Sequence, residues 1–80
     1  MDFSEALTAL KEGRKVRRAA WSGAGYNLHV ILVPELTVQL QGDEATVMPQ
    51  LLVMDGDSGM LRPFSGANWD LLADDWELAE

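Results

Sequence analysis

Tyr26–Val33 is apolar at nearly every position, contains two valines and an isoleucine, and is stopped by Pro34. A run of that length and β-branched content predicts a strand buried on both faces, not one with alternating wet and dry sides. The rest of the chain has to supply cover for it. Eighty residues make at most one domain, 1–80, and its core is thin. Chains this small often gain stability from disulfides, metal or self-association, and with no cysteine present the first route and thiolate metal sites are closed. The 48% hydrophobic content is enough for an interface as well as a core, so self-association is expected.

The flanking segments carry clear signals. Phe3, Ala6, Leu7 and Leu10 follow the i, i+3, i+4, i+7 spacing of an amphipathic helix over about residues 3–12, with Asp2 or Ser4 as its cap and Gly13 as its left-handed stop. Val16 opens a short extended segment ending at Trp21, and Ser22-Gly23-Ala24-Gly25 marks a turn. Leu36, Val38 and Leu40 alternate with Thr37, Gln39 and Gln41 as in a strand with one wet face, followed by a Gly42-Asp43 turn. Thr46–Met48 and Leu51–Met54 are two apolar pieces of one strand that should bulge or lie at an edge around Pro49. Asp55–Gly59 connects to Met60–Phe64 as a hairpin. Ser65–Asn68 is a loop, Asn68 caps a short helical turn through Leu72, and Trp76-Glu77-Leu78 closes the chain as a strand. The fold class is therefore α+β, an N-terminal helix packed on a mainly antiparallel twisted sheet with a short helical turn before the last strand.

Charge is distributed unevenly. Residues 1–18 hold five cations and three anions, whereas 19–80 hold ten anions and one cation, within a net charge of −7. An acidic body argues against DNA or RNA as partner, since sequence-independent binding rests on neutralising many phosphates. No apolar run approaches the ~20 residues of a membrane span, and charges stand where a signal peptide needs an apolar stretch, so no membrane association and a cytosolic location are expected.

Catalytic chemistry finds few parts. Asp55-Gly56-Asp57-Ser58-Gly59 looks like a calcium loop, but an EF-hand opened at Asp55 needs glycine where Met60 stands and glutamate where Gly66 stands, so a plain turn is the better reading. His29, the single histidine, lies in an apolar strand and reads as packed. There is no glycine-rich nucleotide fingerprint and no Ser-His-Asp set, and Asp74 and Asp75 point to opposite faces of an extended chain. No enzyme and no cofactor are expected.

Lys15–Gly25 carries the ligand-binding signal: cations, a tryptophan and flexible backbone side by side. An indole stacks on a nucleobase for ~1–3 kcal/mol, and guanidiniums or turn amides take phosphate oxygens. Trp76 reads as core, Trp21 as facing a cleft. For Arg14, Lys15, Arg17 and Arg18 two readings stand side by side: a phosphate site, or a basic face that pairs with the acidic C-terminal part of a neighbouring subunit.

The opening Met-Asp-Phe-Ser-Glu-Ala-Leu…Leu-Lys-Glu-Gly-Arg-Lys-Val, the Arg-x-x-Trp-Ser-Gly that follows, and the terminal Asp-Leu-Leu-Ala-Asp-Asp-Trp-Glu resemble a small phage and prophage family, the second type of Thoeris anti-defence protein. The resemblance covers both ends well and Leu36–Met48 poorly. It implies a non-enzymatic sponge that binds a cyclic ADP-ribose isomer, the Thoeris alarm signal, without cleaving it, acting in the cytoplasm of the infected bacterium. It also implies a homotetramer with ligand sites between subunits, and cyclic di- or trinucleotides as further ligands of some members. Carried over by position, Trp21 and Phe64 stack the base, and Asn68 and Asp70 fix ribose hydroxyls or the loop; from their own chemistry, Arg17 or Arg18 and the Ser22–Gly25 turn, with Ser22 and Gly23, are expected to hold phosphates. Phe64, Ala67, Asn68 and Trp69 depart from the residues usual at those positions in the family. The competing reading is an acidic phage inhibitor that binds a host protein through its negative surface.

Overall fold

The computed structural model describes residues 1–80. Helix α1 (Phe3–Lys11) starts with a reciprocal capping box, in which the Glu5 amide donates to Asp2 Oδ1 at 2.9 Å and the Asp2 amide donates to Glu5 Oε1 at 3.2 Å. It ends at Glu12, and Gly13 at φ +84° turns the chain away. The other elements are β1 (Val16–Arg18), α2 (Ala19–Gly23), β2 (Leu28–Val33), β3 (Leu36–Leu40), β4 (Asp43–Val47), β5 (Gln50–Asp55), β6 (Leu61–Pro63), α3 (Asn68–Leu71) and β7 (Trp76–Leu78). Five strands form one antiparallel sheet in the order β6-β5-β2-β1-β7, and β3-β4 form a separate two-stranded ribbon. The α+β architecture expected from the sequence is the one observed.

Register explains where the core sits. Leu78 pairs with Val16, Val16 with Val30, Val30 with Val53, and Val53 with Arg62. Directly paired residues project to one face. This row is therefore apolar until the β6 edge, where a cation ends it. Helix α1 packs against β1, β2 and β7 on this face. Its small Ala6 and Ala9 let the helix lie close, and with Leu10 they join Val16, Val30, Val53 and Trp76 in the buried core.

The opposite face carries Arg17 and Glu77, then His29, Ile31 and Val33 of β2 beside Leu52 and Met54 of β5. These apolar side chains are half-buried, since α1 covers only one side. The expectation that β2 is buried on both faces is thus corrected within one protomer: Val30 is its only fully buried residue. The strand also begins at Leu28, two residues after Tyr26.

Three further expectations are revised. The segment from Val16 is extended only to Arg18; Trp21, Ser22 and Gly23 lie in α2, because the Asp75 backbone carbonyl accepts from the Ala19 amide and one Asp75 carboxylate oxygen accepts from the Ala20 amide, capping a helical turn. Pro49 does not bulge one strand but separates β4 from β5, which belong to different sheets. The β3-β4 turn sits one residue earlier, at Gln41 (φ 52°) and Gly42 (φ 86°), the two left-handed residues of a type I′ turn.

The Asp55–Gly59 connection is a hairpin turn, as expected. Asp55 Oδ1 accepts from the Asp57 amide at 2.9 Å, and this bond first of all holds the Asp55 carboxyl below its usual range. A Cβ at Gly56 would meet only the Asn27 side-chain amide, the exposed end of a side chain that can swing aside. No helix is long and apolar enough to cross a membrane.

Candidate functional site

Trp76 is the hub from which the site is built. It is 2% exposed, and its Nε1–H donates to the Asp70 carbonyl at 2.9 Å, so the buried indole N–H is satisfied and α3 is tied to the last strand. Phe3 and Trp21 pack edge-on against it, each with centroids 5.4 Å away, and Phe64 does so at 6.0 Å. Phe64 is also stacked on Phe3 at 6.0 Å and is held at its amide by the Leu51 carbonyl. Trp21 and Phe64 reach the hub from opposite ends of the chain, and each keeps part of its surface in solvent.

Between them lies a cleft of about 160 Å³. Trp21, Phe64, Leu28, Pro63 and the buried Val53 supply its apolar lining; Arg62, Ser65 and Asp70 supply the polar part. A cavity walled by two aromatic rings with one guanidinium at the edge favours a flat aromatic group carrying negative charge.

The junction beneath the cleft is ionic. Strand alternation sends Val16 and Arg18 to the core face and Arg17 to the other. Arg18, opposite Trp76 in the register, donates from Nη1 to Asp70 Oδ1 at 2.7 Å and from Nε to Asp75 Oδ1. These side chains are largely buried, 16% exposed for Arg18 and 13% for Asp70. The Arg18 hydrogen bond is the main reason the Asp75 carboxyl titrates below its usual range, and Asp75 in turn raises the Arg18 guanidinium. One cation therefore ties β1 to α3 and β7 while Asp75 caps the helix that carries Trp21.

Of the residues expected at a site, Trp21, Phe64 and Asp70 line the same cleft. Arg18 touches it only through Asp70. Arg17 lies on the other sheet face, 2.9 Å from Glu77, its directly paired residue. Ser22 and Gly23 are exposed on α2 outside the lining. Asn68 is exposed too and does not cap α3: the helix starts one residue earlier, with the Ala67 carbonyl accepting from the Asp70 and Leu71 amides. The basic run does pair with acidic C-terminal residues, but within one chain: Arg14 with Glu80, Arg17 with Glu77, and Arg18 with Asp70 and Asp75.

Leu28, Val53, Arg62, Pro63 and Ser65 were not anticipated. A signal for Arg62 was present: it is the one cation of residues 19–80 and stands two residues before Phe64, so in an extended strand both share a face. His29 lies on the opposite side of the sheet, with its imidazole pKa lowered first by burial and then by Lys15.

No protein of curated function matches the chain in sequence. A family model described as the Thoeris anti-defense 2-like domain, Tad2-like, matches residues 1–79. That span takes in the capped helix, both cleft aromatics and the Trp76 hub, and the chain accordingly belongs to the Thoeris anti-defense 2-like family.

Proposed function

We propose that the chain performs its Thoeris anti-defense role as a sponge, binding a cyclic ADP-ribose-type signalling nucleotide and withholding it intact from the defence effector. The observation that carries this reading is the cleft between Trp21 and Phe64, which offers two aromatic surfaces to an adenine base. Stacking of a base on such a ring is worth about 1–3 kcal/mol. Asp70, pinned by Arg18, keeps the loop after Phe64 in place, and Asn68 and the exposed end of α2 at Ser22 and Gly23 stand near enough in sequence to the cleft aromatics to meet the sugar and phosphates of a ligand extending from it.

The cleft of about 160 Å³ is smaller than the roughly 300–1,000 Å³ of sites that enclose a whole ligand. One protomer then holds the base and a second copy closes over the remainder, which fits a homotetramer with ligand sites between subunits. The half-buried apolar face of Ile31, Val33, Leu52 and Met54, the exposed Leu40 of the ribbon and the exposed Met48 just after it supply surface for such an assembly. The site of action is the cytoplasm of the infected bacterial host, where the signal is made.

Titration calorimetry with cyclic ADP-ribose isomers and cyclic dinucleotides tests this reading. Saturable heat with at least one of them, followed by recovery of the intact nucleotide on acid denaturation, supports sequestration. Release of a linear hydrolysed product refutes it, and no heat with any of them shifts the function to an acidic inhibitor of a host protein.

A further inference from the structure

We propose that Arg62 is the cation that holds a phosphate of the ligand at the cleft, a role that rests on the nucleotide-sequestration reading and that the basic run at Arg14–Arg18 cannot fill in the same way. Arg14, Arg17 and Arg18 are each within 3.1 Å of a carboxylate of their own chain, and Lys15, which makes no ion pair, acts on His29 on the opposite side of the sheet from the cleft. Arg62 lines the cleft, is exposed, and has no carboxylate within ion-pair distance.

Geometry places it where a phosphate would lie. Arg62 is paired with Val53, so its side chain leaves the sheet on the core face, beside the aromatic walls and not away from them. Phe64 follows on the same side two residues later. A base between Trp21 and Phe64 thus has a guanidinium next to it, able to grip phosphate oxygens with two parallel N–H donors.

Charge argues in the same direction. Around the cleft, Arg18 is shared by two carboxylates, Asp70 and Asp75, leaving that cluster one negative charge in excess. An anionic ligand entering there would be repelled by the cluster and by the acidic body of the chain. Arg62 is the single cation among residues 19–80 and cancels the excess at the point of entry. The ligand class that follows is an aromatic base bearing a phosphate close enough to reach the edge strand, and the uncharged nucleoside alone should bind weakly.

An inward-pointing charge on an edge strand has another known use, to prevent edge-to-edge pairing with a second sheet. The experiment separates the two. Cyclic ADP-ribose and adenosine are titrated into wild type, Arg62→Gln and Arg62→Lys at about 50 and about 300 mM salt, where screening of an exposed charge differs strongly, with thermal midpoint and solution size measured on each variant. Expected are affinity for cyclic ADP-ribose about tenfold lower in Arg62→Gln with most of its salt dependence gone, partial retention in Arg62→Lys, and no change for adenosine or the thermal midpoint. Unchanged affinity and salt dependence in Arg62→Gln overturn the proposal while leaving the sponge reading standing, because wild type still binds. Unchanged affinity with a shift to larger species also overturns it, in favour of edge protection. Absence of binding by wild type removes both.

Discussion

The two ends of the five-stranded sheet treat arginine in opposite ways. At the β1-β7 end, three arginines face carboxylates of the C-terminal segment, and the most buried of them, Arg18, answers two at once. At the β6 end, Arg62 makes no ion pair, although Asp55 lies near enough to feel its charge, and it borders a cleft. The lesson is that a dense basic run need not be where an anion binds: a cation matched by its own chain holds elements together, whereas a lone cation beside aromatic surface is available to a ligand. In this molecule the first arrangement also serves the second, because Arg18 and Asp75 fix the helix that presents Trp21.

Substitutions at each end sharpen that contrast. The largest effect on stability is expected from Arg18→Ala, which strands the buried Asp70 and the capping Asp75; removing one partner of a buried pair costs about 3–5 kcal/mol, and partial exposure here lowers that to roughly 2–3 kcal/mol. For a domain of this size the thermal midpoint should fall by about 10 °C or more. A variant that kept its midpoint but lost nucleotide affinity would move Arg18 from the frame to the ligand.

Trp21→Ala should do the reverse, lowering affinity for cyclic ADP-ribose about 10- to 100-fold, as removal of a stacking platform does. Part of the ring packs on Trp76, so a modest loss of midpoint accompanies it. Unchanged affinity on calorimetry would return Trp21 to the core.

A smaller effect belongs to pH. The His29 pKa is lowered from its ordinary 6.5, chiefly by burial, so below that pH the unfolded chain binds a proton that the folded chain resists. Stability should therefore be full above about pH 6.5 and decline as pH falls through the lowered value, and thermal melts of His29→Gln should show a flatter profile across that window. Asp55 and Asp75, lowered from 3.8, add a second decline only at lower pH. A wild-type profile as flat as that of His29→Gln would contradict this assignment.

The smallest change is expected from Arg17→Ala. Its pair with Glu77 is more than a third exposed on both sides, and such pairs contribute about 0.2–1 kcal/mol. A midpoint shift as large as that of Arg18→Ala would show that burial is not what separates the two arginines.

What could be read from the sequence tracks how local each signal is. The helix cap at Asp2 or Ser4, the Gly13 stop and the Asp55–Gly59 turn involve groups within a few residues of one another, and the fold class followed from them and from strand periodicity. Helix α2 was missed because its cap comes from Asp75, and Pro49 was misplaced because nothing local says that the strands on either side join different sheets. At the cleft, Trp21 stood out through its place between the basic run and the glycine turn, and Phe64 through the family resemblance. Pairing of the basic run with the acidic C-terminal part was one of the two readings, but the partners of Arg18 lie 52 and 57 residues away, so that they belong to the same chain could not be seen before folding. Arg62 carries a weaker signal than the clustered cations because it stands alone in an acidic stretch.

The central claim is that the ligand base sits against Trp21. The most direct measurement is an NMR titration of the three tryptophan indole N–H signals with cyclic ADP-ribose, with Trp21 assigned by loss of its signal in Trp21→Phe. The Trp21 signal should move most and saturate, while that of Trp76, bonded to the Asp70 carbonyl in the core, moves little. Saturable binding that leaves the Trp21 signal in place, with only Trp69 responding, would contradict the account.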